Sequence, residues 1–132
     1  MTNSAAGLIT RDKDVVARDY NTVNWEDIRT VEGNAIPNAT EVLKMKAMIC
    51  TEHVIVLRAF RKKGMLDPRH KHDDHDTVST LIAGHLKLYI GDEVFDATPG
   101  FVWRHRPGVY HYAETLEDSE VIEIKTGPAK TW

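Results

Sequence analysis

One cysteine, Cys50, is all that this 132-residue sequence contains. An intrachain disulfide framework is therefore excluded, and a reducing, cytoplasmic setting is the expectation. Long apolar runs are missing too: none approaches the roughly 20 residues needed to cross a bilayer, so no membrane span is expected. The stretch from Met1 to Gly7 lacks a basic segment followed by an apolar core and does not read as a secretory signal. Nor is there an excess of positive charge. Against 20 Asp and Glu stand 17 Lys and Arg, a formal net charge of -3 that gives no global attraction for nucleic acid. The basic cluster Arg58 to Lys63 is short, is interrupted by Ala59 and Phe60, and reads as a solvated strand end. No internal repeat, low-complexity tract, long amphipathic helix or helix-turn-helix pattern is visible, so a DNA-binding role would need a partner chain.

Glycine and proline are few, 8 and 5, but they stand where turns are needed. Gly64, Gly84, Gly91-Asp92, Pro99-Gly100 and Pro107-Gly108 separate short runs that alternate or are β-branched: Val42 to Ala47, His53 to Phe60, Thr77 to Ala83, His85 to Ile90, Phe101 to Arg104 and Ser119 to Lys125. Gly91-Asp92 between two such runs predicts a tight hairpin. Short strands at near-regular spacing predict one all-β domain, an antiparallel sandwich or barrel. Before it, the first residues are polar and aperiodic, and Trp25-Glu-Asp-Ile-Arg reads as a short helical turn with Asn24 as its cap. Residues 1–24 are thus expected to form a flexible or dimer-covering segment, and residues 25–132 the barrel.

The chemistry concentrates in His70-Lys-His72-Asp-Asp-His75-Asp76, answered about forty positions later by His111. Side chains alternate along a strand, so His70 and His72 share a face, and Asp76 joins them if the strand runs on. Imidazoles and a carboxylate converging inside a sheet suit a divalent ion: Zn, Fe, Ni or Cu on nitrogen, with Mn admitted by the oxygen. A polar acidic loop is the other reading of the same spacing. His75 is a spare donor, but alternation turns it away.

The surrounding residues carry a family resemblance. Gly64-x5-His70-x-His72-x3-Asp76-x7-Gly84 resembles the first cupin signature, G-x5-HxH-x3/4-E-x6-G. Gly100 through His111, with Gly108 between, is similar to the second, G-x5-P-x-G-x2-H-x3-N. Asp76 stands for the glutamate, Arg106 for a proline and Thr115 for the asparagine. With both gaps held strictly, the glutamate slot falls on Thr77. The resemblance covers roughly Val42 to Lys125 and implies a single-domain cupin jelly roll. It also implies a metal ion (Fe, Mn, Ni or Zn) held by His70, His72 and His111, with Asp76 as a fourth ligand or as an acceptor orienting an imidazole.

Around that centre, Trp103 and His105 share one strand face and Arg104 and Arg106 the other. Turning Phe101 and Trp103 inward together makes them the walls of a substrate pocket and brings in His105, either as a catalytic general base or as a packed strand histidine. Tyr110 and Tyr112 face away from His111, and Tyr89 points outward. The expectation is a metal-dependent enzyme acting on a small oxygen-bearing molecule, of dioxygenase or lyase/isomerase type. The alternative is a non-catalytic sensor or storage barrel. A homodimer is expected in either case, since pairing would cover edge strands.

Overall fold

The computed structural model describes residues 12–38 and 40–126. All of its regular structure is antiparallel β apart from one 3-10 turn, Tyr20–Thr22, which Asp19 caps by accepting from the amide of Asn21. Three short pieces come first: β1 (Glu26–Asp27), β2 (Thr30–Val31) and β3 (Asn34–Ala35). The barrel strands follow as β4 (Leu43–Cys50), β5 (Val54–Arg61), β6 (Thr77–Ile90), β7 (Glu93–Ala97), β8 (Val102–His105) and β9 (His111–Thr126). The main sheet runs β1-β4-β5-β9-β6-β7, with β8 also paired to β6, while β2 and β3 form a separate hairpin.

The two longest strands make the sheet fold over on itself. β6 pairs with β8 through its first half and with β7 through its second, and β9 lies beside both halves. The expected pair of strands on either side of Gly84 is thus one continuous strand. Its register slips between Leu81 and Leu86 and bends it there. Gly84 permits the bend, because at φ +100° a built Cβ would fall 2.1 Å from Ser119 Oγ and 2.5 Å from the Asp118 carbonyl. Alternation gives each strand one buried face, as in β5, where Ile55, Leu57 and Ala59 are buried. Together with Leu43, Met45, Leu81, Leu86, Leu88 and Val121 they form one core. The hairpin at Gly91-Asp92 forms as expected, pairing Ile90 with Glu93.

Two local expectations fail. The stretch after His70 is not a strand; His70 makes one bridge to His111, and residues 71–76 form a loop. Trp25 does not start a helical turn either. It leads into β1, which pairs with β4, while its ring packs on Tyr20 and Phe60. Tyr20, inside the segment expected to be a flexible or covering tail, donates its hydroxyl to Glu120 and lies over Arg58. Residues 1–11 lie outside the described residues.

Candidate metal centre

The two motifs meet because the chain around residues 64–72 runs antiparallel to the start of β9. Amide-to-carbonyl bonds link Gly64 to Thr115, Thr115 to Met65, Asp67 to Ala113, and His70 and His111 to each other in both directions, at 2.8–3.1 Å. Gly108 then donates to the His72 carbonyl at 2.8 Å. A buried ion pair fastens the same seam. Arg61 reaches Asp67 at 2.6 Å, and the other oxygen of Asp67 accepts from the Ala113 amide. Backbone ladders of this kind fix positions more tightly than side-chain packing alone, so the three histidines arrive together as a rigid set.

His70, His72 and His111 are all buried, and one ring nitrogen from each lies within 4.8 Å of the others. Their second nitrogens are already tied. Nδ1 of His70 donates to the Pro68 carbonyl at 2.7 Å, that of His111 to the Val109 carbonyl at 3.0 Å, and that of His72 to Glu32 Oε2 at 2.7 Å. A carbonyl or carboxylate oxygen can only accept, so Nδ1 carries the proton and Nε2 keeps its lone pair. Nε2 of His111 is buried without a partner. Fixed tautomers whose lone-pair nitrogens converge are what a divalent ion requires of its ligands, so the residues fit the group.

Electrostatics keep the rings neutral. Burial lowers the pKa of His70, His72, His75, His105 and His111, and the nearby Lys125 ammonium adds to the effect in every case. His111 is pushed down from 6.5 to about 4. A protonated unfolded chain therefore competes with the neutral folded site below 6.5. The stability these rings contribute is complete above that value and is lost as the pH falls from 6.5 toward 4. For His111 alone the loss is ~3 kcal/mol. Urea titrations of the metal-free protein at pH 7.5 and 4.5 are expected to show a lower midpoint at the acid pH, and equal midpoints would contradict the assignment. Metal should leave over the same range, because the proton takes the lone pair the ion needs.

A cavity of about 50 Å³ lies against the three histidines, lined on its apolar side by Leu43, Met45, Leu88, Trp103 and Val121. His105 joins the polar side, its ring stacked on His111 with centroids 3.5 Å apart. Trp103 is a wall of this cavity; Phe101 is not. Phe101 packs between Phe95 and Trp103 and lines an outer groove instead, because the chain straightens into β8 only at Val102. Asp76 likewise departs from expectation. Its carboxylate accepts two bonds from Arg104 at 2.7 and 2.9 Å, and it is not in the three-donor group. The loop over residues 71–76 breaks the alternation that would have aimed Asp76 inward. Thr77, the strict glutamate slot, is buried, and its hydroxyl accepts from Lys125 Nζ at 3.0 Å. Tyr112, expected to face away, borders the cavity while stacking on Tyr89.

Several site residues escape a sequence reading. Lys125 is wholly buried, 3.5 Å from Glu123, which also lines the cavity. Both follow from alternation along β9 through Ser119, Val121, Glu123 and Lys125, a charged pair on the inward face. Glu32 carries no such signal. It reaches His72 from the tip of the β2–β3 hairpin with a left-handed φ of 50°, and only the tertiary fold brings these two residues together. An oxygen partner of this kind typically contributes 10–100-fold to metal affinity. Glu32→Ala is expected to weaken the site by about that factor in a chelator competition, and an unchanged affinity would contradict the role given to Glu32.

No family model matches the sequence, and no curated protein matches it either. Solved structures do. An RmlC-like cupin from Shewanella frigidimarina superimposes with a TM-score of 0.72 at 18% identity, over 85% of this chain and 90% of that one. A predicted oxalate decarboxylase from Thermotoga maritima gives 0.68 at 16%, over 85% and 98%. The polyketide cyclase RemF from Streptomyces resistomycificus gives 0.69 at 12%, over 89% and 84%. The chain has the cupin fold. Within that fold, the particular feature of this protein is a buried three-histidine cluster able to bind a metal ion.

Proposed function

We propose that the protein is a metal-dependent enzyme acting on a small molecule that bears carboxylate, carbonyl or enol oxygens, with chemistry of the lyase or isomerase type. The observation that carries this reading is the composition of the cavity: three tied imidazoles with converging lone pairs share one cavity with His105 and Glu123. His70, His72 and His111 would hold the ion, which when bound supplies a positive charge to polarise a substrate oxygen. The remaining steps fall to the chain. The apolar walls exclude water and so strengthen each polar contact within. His105, with its pKa well below the ordinary value through burial, is neutral at physiological pH and positioned to accept a proton. Glu123, held beside Lys125, is a second proton carrier on the same wall. Lyase and isomerase reactions move protons, and this cavity holds two groups able to move them.

Two of the structural neighbours carry enzyme names, a predicted oxalate decarboxylase and a polyketide cyclase, which supports an enzyme reading without naming a substrate. A cavity of about 50 Å³ favours a small substrate. We also propose that two copies pair. Val78 and Ile124 pair across β6 and β9, with Val102 on β8 diagonal to Val78, and all three are exposed on the outer face, an apolar patch that a second copy would cover.

The test is a screen of small hydroxy and keto acids on protein reconstituted with Mn, Ni, Zn or Fe, with His105→Gln run beside it. Metal-dependent turnover lost in the variant supports the proposal. Oxygen uptake that requires iron would move the protein to the dioxygenase class. Binding with no turnover under any ion would make it a sensor or storage barrel.

A further inference from the structure

Buried hydroxyl groups in this domain are engaged by the fold, with one exception. Thr77 accepts from Lys125, Thr115 accepts from Arg61, and Ser119 bridges the His85 amide and the Glu117 carbonyl. Ser79 is only 3% exposed, yet among the described residues its hydroxyl has no hydrogen-bond partner. A hydroxyl taken out of water and left unpaired costs free energy, so a folded chain seldom keeps one without a use. This one lines the cavity of the three histidines. The sheet register sets its neighbours. On β6, Ser79 stands directly across from Glu123 of β9 and Trp103 of β8, and both of these also line the cavity. One rung along, Thr77 lies between Lys125 and His105. The inner face thus carries a polar ladder. Its Thr77–Lys125 rung is closed by a bond of 3.0 Å, while Glu123 leans on Lys125 at 3.5 Å and leaves the Ser79 rung open.

We propose that Ser79 is a specificity-determining residue that, with Glu123, recognises a hydroxyl group on the substrate. The inference rests on the metal-dependent enzyme reading above and narrows its substrate class to acids that carry a hydroxyl. Side chains directly opposed across two strands start about 4.5–5.5 Å apart at Cβ, a gap that one bridging oxygen can fill. A hydroxyl both accepts and donates, so it can take a hydrogen bond from the Ser79 hydroxyl and give one to the Glu123 carboxylate. A keto oxygen only accepts: it satisfies Ser79 but turns a lone pair on Glu123. A methylene satisfies neither. The expected order of binding is hydroxy acid, then keto acid, then deoxy acid. Sites of this kind discriminate sharply, because the rejected ligand leaves buried polar groups unpaired.

The experiment is calorimetric titration of the zinc-loaded full chain with lactate, pyruvate and propionate, on the wild type and on Ser79→Ala, beside urea titrations of both proteins without metal. The wild type is expected to bind lactate about tenfold or more tightly than propionate, with pyruvate between them. Ser79→Ala is expected to lose about tenfold of that preference. Its urea midpoint should stay equal or rise, because the hydroxyl removed makes no bond within the fold. Chelation of zinc by the lactate hydroxyl would favour lactate equally in both proteins. An unchanged preference in the variant therefore overturns the proposal and leaves the metal-dependent reading standing. A lower midpoint also overturns it, since the hydroxyl would then be serving the fold. A chain that binds none of the three acids loses both readings.

Discussion

His72→Ala and His111→Ala are each expected to empty the metal site while the barrel still folds. Structural zinc contributes about 10–16 kcal/mol when four ligands hold it, roughly 3 kcal/mol per donor, so losing one imidazole weakens the ion more than about a hundredfold. The loss should exceed that of an ordinary surface ligand here, because the remaining donors cannot rearrange. His70 and His111 are locked by reciprocal backbone bonds, and His72 is tied to Glu32. Each ring is also buried. Metal content after dialysis, read beside far-ultraviolet circular dichroism, checks the expectation. A folded variant that retains a full complement of metal would contradict the ligand assignment.

The second large effect concerns the fold rather than the ion. Gly84→Ala is expected to destabilise the domain by about 3–5 kcal/mol, the sum of backbone strain and overpacking at one point. Residue 84 has φ +100°, which a side chain rarely adopts, and the added methyl would lie 2.1 Å from Ser119 Oγ and 2.6 Å from Ser119 Cα. The Ser119 side chain cannot simply rotate away. Its hydroxyl accepts from the His85 amide and donates to the Glu117 carbonyl, two bonds that hold the bend of β6 against β9. Relief would have to come from the β9 backbone, and β9 carries His111. Since a domain of this size has only ~5–15 kcal/mol of net stability, the variant should unfold at a much lower urea concentration or fail to accumulate. A midpoint close to that of the wild type would show that the β6–β9 crossing is looser than described.

The contrast between these residues explains what a sequence can disclose. The histidines at 70, 72 and 111 were legible from their spacing, whereas Gly84, read as a turn between two strands, is the bend within one. The all-β architecture was legible as well, since alternation and turn residues are short-range signals. Asp76 was misread where the short-range rule stopped applying. Alternation holds only while a strand continues, and this strand ends at His70, so Asp76 swings out to Arg104 while His75 swings in. Phe101 failed in the same way, one residue before β8 begins. Glu32 could not have been found by any spacing argument, because its carboxylate comes to His72 from a separate hairpin 40 positions away. Lys125 and Glu123 lay within reach, since their alternation with Ser119 and Val121 puts a charged pair on the inner face of a core strand. Charged residues in a strand read by default as solvated, and here that default conceals part of the cavity wall.

The central claim is that His70, His72 and His111 hold a divalent ion at the bottom of the cavity. Its most direct test is calorimetric titration of the untagged, chelator-treated protein with zinc at pH 7.5, repeated at pH 4.5. The account predicts one ion per chain at the higher pH and binding largely lost at the lower, where protons compete for the lone pairs. No binding at pH 7.5, for zinc and in parallel titrations with nickel, iron(II) and manganese, would contradict it.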